Sequence, residues 1–166
     1  MMSLLADVWQ TIIHEFSDIA DMKEATVIGV RLSVAALLGA AIGYERERRG
    51  KDAGLRTHML VALGAAIFIL VPVTGDMTTA DASRVMQGII SGIGFLGAGA
   101  ILKQEKEHIV AGLTTAASIW VAAAVGIAAG YGREATAVAS TVVALFVLAV
   151  LGRLETSQAT SSEKKS

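Results

Sequence analysis

Glu45, Arg56, Thr57 and His58 bracket one short charged loop, and Thr114 and Thr115 follow a second. The two places share nearly the same five residues, Ala53-Gly54-Leu55-Arg56-Thr57 and Ala111-Gly112-Leu113-Thr114-Thr115, set 58 positions apart (54 to 112). A helix start offers unpaired N–H groups and the positive end of a dipole, so it suits anions. Two such starts on one side, with Arg56 and the threonines around them, could form an anion-binding vestibule. The alternative is internal: Glu45 at the end of one helix pairs with Arg56 at the start of the next, where a cation opposes the dipole. His58 could titrate near neutral pH. It has no neighbouring His or Cys, so the residues around it give no metal-ligand pattern.

These residues must be positioned by helices in a bilayer. The chain has 166 residues, 54% of them hydrophobic, no cysteine and one proline, Pro72; its mean hydropathy is +0.60. A hydrocarbon core of ~30 Å needs about 20 apolar residues as helix. Windows at Val27–Tyr44, Thr57–Thr74, Val85–Leu102, Ile109–Gly130 and Ala135–Leu151 answer to that description. The expectation is an all-α polytopic membrane protein with five spans occupying residues 25–154. Repeated order of apolar segment, charged loop, AGLxT and apolar segment suggests a duplication, 27–74 and 85–130, whose copies run parallel about the membrane normal.

Lysine and arginine set the orientation. Ten of the 14 lie on one side, in Arg46–Arg56, Lys103, Lys106 and the C-terminal stretch; Lys23, Arg84 and Arg133 lie on the other, and Arg31 falls inside a span. The N-terminus is then expected outside and the C-terminus in the cytoplasm. Residues 1–24 alternate Leu4, Leu5, Val8, Trp9, Ile12, Ile13, Phe16 and Ile19 with polar groups at helical spacing, as an amphipathic helix in the outer interface would. From 155 to 166 the chain is Ser/Thr/Lys-rich and expected to be a disordered cytoplasmic tail.

Glycines mark the packing. Gly39 with Gly43, Gly88 with Gly92, and Gly126 with Gly130 are GxxxG pairs, which let transmembrane helices approach closely. Gly88, Gly92 and Gly99 fall on one face of the third span, Gly94 and Gly97 roughly opposite, which predicts that span to be the centre of the bundle; local unwinding is the competing explanation. Arg31 near the outer end of the first span is either a functional intramembrane charge or a snorkelling side chain.

Several function classes find no support. The spans hold no carboxylate between their ends, so a path built from hard oxygen ligands for a divalent cation is not apparent. There is no P-loop, catalytic dyad or nucleic-acid patch. No catalytic residue, metal site or cofactor is expected.

Arg31-Leu32, Gly43-Tyr44-Glu45-Arg46-Glu47, Gly54-Leu55-Arg56-Thr57-His58, Ser91-Gly92-Ile93-Gly94-Phe95-Leu96-Gly97-Ala98-Gly99 and Gly112-Leu113-Thr114-Thr115-Ala116-Ala117 resemble the MgtC/SapB family of bacterial inner-membrane proteins. The resemblance covers about Val30 to Leu154. It implies five spans and an inner-membrane location, a link to low-magnesium growth and, in some pathogens, to survival inside host cells. Some members have been called magnesium transporters; others are thought to restrain the F-type ATP synthase. Longer members carry an ACT-like C-terminal domain, and this chain, ending at Ser166, is expected to follow the short SapB/YhiD-like branch. The combined expectation is a regulatory or interaction factor in Mg²⁺ homeostasis or envelope stress, whose partner is a membrane protein or a second copy. The alternative is a transporter or channel for Mg²⁺ or another small ion, with its site between the repeats.

Overall fold

A computed structural model describes residues 2–15, 21–74, 78–102 and 111–151. The extension of the N-terminal stripe to Phe16 and Ile19, the second charged loop at Lys103–Glu107, and the tail 155–166 lie outside the described residues. The chain divides into two compact units, Met1–Val30 and Arg31–Ser166, and each is described by itself.

The first unit contains α1 (Met2–Glu15) and the opening turns of α2 (Met22–Arg48). Leu5, Val8, Trp9, Ile12 and Ile13 on α1 are all exposed. α2 starts at Met22 because the Asp21 carboxylate accepts the Glu24 N–H at 2.7 Å, the usual work of an N-cap aspartate. It begins five residues before the apolar window at Val27.

The second unit is a helical bundle of the rest of α2 with α3 (Leu55–Thr74), α4 (Thr79–Leu102), α5 (Leu113–Gly130) and α6 (Glu134–Phe146), the last running into a π-helical turn at Val147–Leu151. Four helices, α2 to α5, are long and apolar enough to cross a membrane, and Glu134–Val150 is a shorter apolar fifth. α4 opens with a capping box: Thr78 N–H donates to Asp81 Oδ2 at 3.1 Å and Asp81 N–H donates back to Thr78 Oγ1 at 3.3 Å. α5 closes with Gly132 at φ 82°, Gly132 N–H donating to Ala129 O at 3.0 Å and Arg133 N–H to Ala128 O at 2.9 Å. That pair of bonds is a Schellman motif, which stops the helix and turns the chain into α6.

α5 is the centre. Half of its span is buried, against 6% for α4, which corrects the expectation that the third span lies in the middle. Small residues pull a helix inward only where a neighbour meets them. A Cβ on Gly126 would collide with the Ala62 backbone, and one on Gly130 with Ala66 O at 2.5 Å, so α3 lies directly on this ridge. Gly88, Gly92, Gly94 and Gly99 have nothing within 4 Å of where a Cβ would stand, and Gly97 only the Ala116 Cβ at 3.8 Å. α4 is nevertheless a continuous helix, so its glycines do not unwind it. Gly39 and Gly43 pack as expected: a Cβ on the first would meet His58 O at 2.6 Å, and on the second the Leu55 Cα at 2.7 Å. Ala35, Ile42, Ala66, Ala122, Val125, Ala129 and Ala137 form the core, drawn from α2, α3, α5 and α6.

Candidate functional site

The polar groups of the bundle collect at the end where α2 stops and α3 and α5 begin. His58, in the first turn of α3, is fully buried. Its Nδ1 stands 2.9 Å from Gly54 O, and its Nε2 2.9 Å from Ser118 Oγ on α5. A carbonyl only accepts, so Nδ1 carries the proton, and in the neutral ring Nε2 accepts from the Ser118 hydroxyl. Ser118 Oγ also lies 2.8 Å from Thr115 O, a second acceptor to which its single proton can turn. Gly39 packs over the His58 carbonyl. His58 thus joins α3 to α5 beneath α2.

A charged cluster sits beside it on α2. Arg46, 2% exposed, donates from Nε to Glu45 Oε2 at 2.5 Å and pairs with the same oxygen through Nη2. Glu45 Oε1 forms an ion pair with Arg49 Nε at 2.7 Å, one turn on, without the alignment of a hydrogen bond. Arg49 Nη2 donates onward to Ala149 O in the π-helical turn at 2.8 Å. One carboxylate therefore serves two arginines, and the second arginine ties α2 to the end of α6.

The Glu45–Arg56 pair does not form: Glu45 is taken by Arg46 and Arg49, and among the described residues no ion pair reaches Arg56, which is exposed. The α3 half of the anion vestibule is closed as well. Glu47 Oε2 accepts the Leu55 N–H at 2.9 Å, so an internal carboxylate already caps this helix start. A Cβ on Gly54 would stand 2.6 Å from that oxygen, so a larger residue there would push the Glu47 carboxylate aside. Of the six residues expected to cluster, Glu45, His58 and Thr115 are at least partly buried in the network or beside it, whereas Arg56, Thr57 and Thr114 face outward.

At the opposite end, Arg31 is partly buried and does not stand alone. Its Nη1 donates to Gly130 O at 3.1 Å, and its Nε lies 3.9 Å from Glu134 Oε1. It caps the last carbonyls of α5, where a cation favours the dipole. A Cβ on Gly132 would stand 2.5 Å from its Nη2.

Sequence reasoning missed Arg46, Arg49, Glu47 and Ser118. The i,i+4 spacing of Glu45 and Arg49 was the available signal. Adjacent residues on a helix do not face each other in general, so Glu45 and Arg46 carried none. Ser118 meets His58 from 60 positions away, beyond any local pattern.

The two helix pairs meet in the same way. Gly39 lies on His58, and Gly97 lies on Ala116; Gly43 lies on Gly54 and Leu55, and Ile101 lies 3.5 Å from where a Gly112 Cβ would stand. Each contact in the second set is displaced from the first by 58 positions, the offset of the AGLxT repeat.

A model of the MgtC family matches residues 32–157. The chain is 42% identical over 132 residues to the putative magnesium transporter YhiD of Escherichia coli K12, covering 75% of this chain and 60% of that protein. It is 41% identical over 139 residues to protein SrpB of Synechococcus elongatus, covering 77% and 76%. With protein MgtC of Salmonella typhimurium LT2 it shares 48% over 118 residues, 70% of this chain and 48% of that one. No solved structure matches the chain.

Proposed function

Since this chain belongs to the MgtC family and is a multi-pass inner-membrane protein, we propose that it acts as a regulatory or interaction factor in Mg²⁺ homeostasis or envelope stress, not as an ion conduit. One observation carries this reading: the seam between the two repeats is shut. A transport site there would lie between α3 and α5, and Gly126 and Gly130 bring α5 onto the α3 backbone at Ala62 and Ala66, both fully buried. Interior packing at that density leaves no room for a hydrated ion. The polar network at the end of the seam is internally bonded, with His58 held at both ring nitrogens. The larger grooves open sideways between neighbouring helices, and both are lined mainly by apolar residues.

Purified protein in liposomes should pass Mg²⁺ no faster than empty vesicles. Ion-selective flux above that background would overturn the proposal in favour of the transporter reading. The transporter reading draws its support from the name of the Escherichia coli relative. The partner we favour is another membrane protein, the F-type ATP synthase being the first to test by affinity capture from membranes; a capture without its subunits would remove that candidate.

The same proposal includes five spans, with the N-terminus outside. The matching contacts of Gly39 and Gly97, and of Gly43 and Ile101, support a parallel repeat. Arg31, and Arg49 just past the end of α2, support counting α6 as the fifth span, because they hold its opposite ends.

A further inference from the structure

We propose that the outward face of α4 is the seat of a second copy of this chain, the two α4 helices crossing in parallel about a two-fold axis along the membrane normal. Met86, Ile89 and Ile93 of this helix turn toward Trp120 and Ile127 of α5. Of its exposed positions, Ile90 and Leu96 are apolar, but between them lies an arc that carries Arg84, Ser91, Phe95 and the open glycines Gly88, Gly92 and Gly99. At 100° per residue these fall within one broad face. Lipid tails reward neither a glycine floor nor a serine hydroxyl. A second helix rewards both, since small residues admit its backbone and a hydroxyl finds a partner across the interface.

Three features say that the second helix belongs to an identical chain. Asp81 and Arg84 stand one turn apart at the same end of α4, with Arg84 79% exposed and only 3.6 Å of loose pairing to Asp81. Across a two-fold axis each Arg84 meets the partner's Asp81, so the charges complement their own copy. A two-fold interface must be self-complementary, and Ser91 meets that condition by being both donor and acceptor. The shape meets it too. Phe95, 83% exposed, is a knob, and beside it a groove of about 690 Å³ runs between α3 and α4 over Gly64, Gly88 and Gly92.

The chain has no cysteine, so single thiols report contacts cleanly. Ser91→Cys in native membranes should give a disulfide-linked dimer under mild oxidant, whereas Val142→Cys on the exposed face of α6 should not. Failure of Ser91→Cys to self-link in membrane-inserted protein would overturn the proposal. So would linkage to a different protein, or equal linkage from Val142→Cys. In the Ser91→Cys background, Asp81→Arg gives a face with two positive charges and Arg84→Asp a face with two negative ones. Each alone should lower the cross-linked fraction roughly tenfold through like-charge repulsion. Co-expressed with different tags, the two should link to each other. A mixed yield no higher than either alone would sink the charge pairing, and with it the choice of a second copy.

Discussion

Arg31 within α2 and Arg49, the residue that follows its last turn, stand 18 residues apart (31 to 49) and hold the two ends of α6, the first beside Gly130 and Glu134, the second at Ala149. At 1.5 Å per residue the separation is about 27 Å, close to the ~30 Å of a bilayer's hydrocarbon core. Both guanidinium groups then sit at interfaces, where a charge is tolerated.

The first prediction follows from that spacing. Arg133 lies beyond one clamp and Lys51 beyond the other, and both are exposed. An impermeant thiol reagent should label Arg133→Cys on intact cells and Lys51→Cys only after permeabilisation. Labelling of both from one side would contradict a crossing by α6.

Arg31→Ala should lower stability by about 1–3 kcal/mol, because it strips the hydrogen bond from the Gly130 carbonyl. Glu134→Gln should cost less, within about 0–1 kcal/mol, since that pair is long and partly exposed. Thermal unfolding in detergent orders the two; an equal loss would mean that the ion pair, not the helix cap, is the stronger contact.

Glu45→Gln should be severe, about 3–5 kcal/mol, for it leaves buried Arg46 without its counter-charge. Arg56→Ala should stay within about 0.5 kcal/mol, as an exposed substitution does. Exchanging the charges of Glu45 and Arg56 should give no rescue. Recovery of stability in that exchange would restore the pair that the structure replaces.

Ser118→Ala should cost about 1–3 kcal/mol by leaving His58 Nε2 without its partner. Replacing both polar groups, His58→Leu with Ser118→Ala, should recover part of the loss, because two apolar groups leave nothing unsatisfied. An additive double mutant would indicate that the two residues act separately.

Gly126→Ala should destabilise by about 1–3 kcal/mol or more, since the α3 backbone occupies the space a methyl needs. Gly92→Ala should leave the monomer's stability nearly unchanged, having open space around it. The reverse order would return α4 to the centre of the bundle.

The four long spans could be read from apolar length alone, because bilayer thickness dictates it. Gly39, Gly43, Gly126 and Gly130 were legible as contact points. The place of α4 was not: a GxxxG pair says that a face can accept a helix and is silent on whether the helix comes from the same chain. Glu45 was legible as a paired carboxylate, but its partner was misassigned to Arg56. The turn that brings the α3 N-terminus back to Glu47 passes through Gly50 at φ 64°, and Arg46 meets its neighbour Glu45 in a buried setting; neither leaves a periodic trace.

Gly132 is held to glycine by its positive φ; the Arg31 guanidinium lying over it is the far end of a flexible side chain and can give way. Asparagine tolerates such a backbone, but its Cβ would claim the place of the guanidinium. The arginine would then have to swing off the last carbonyl of α5. A change in the turn would thus be felt first as a loosened helix cap, so the identity of residue 132 sets how firmly Arg31 can hold.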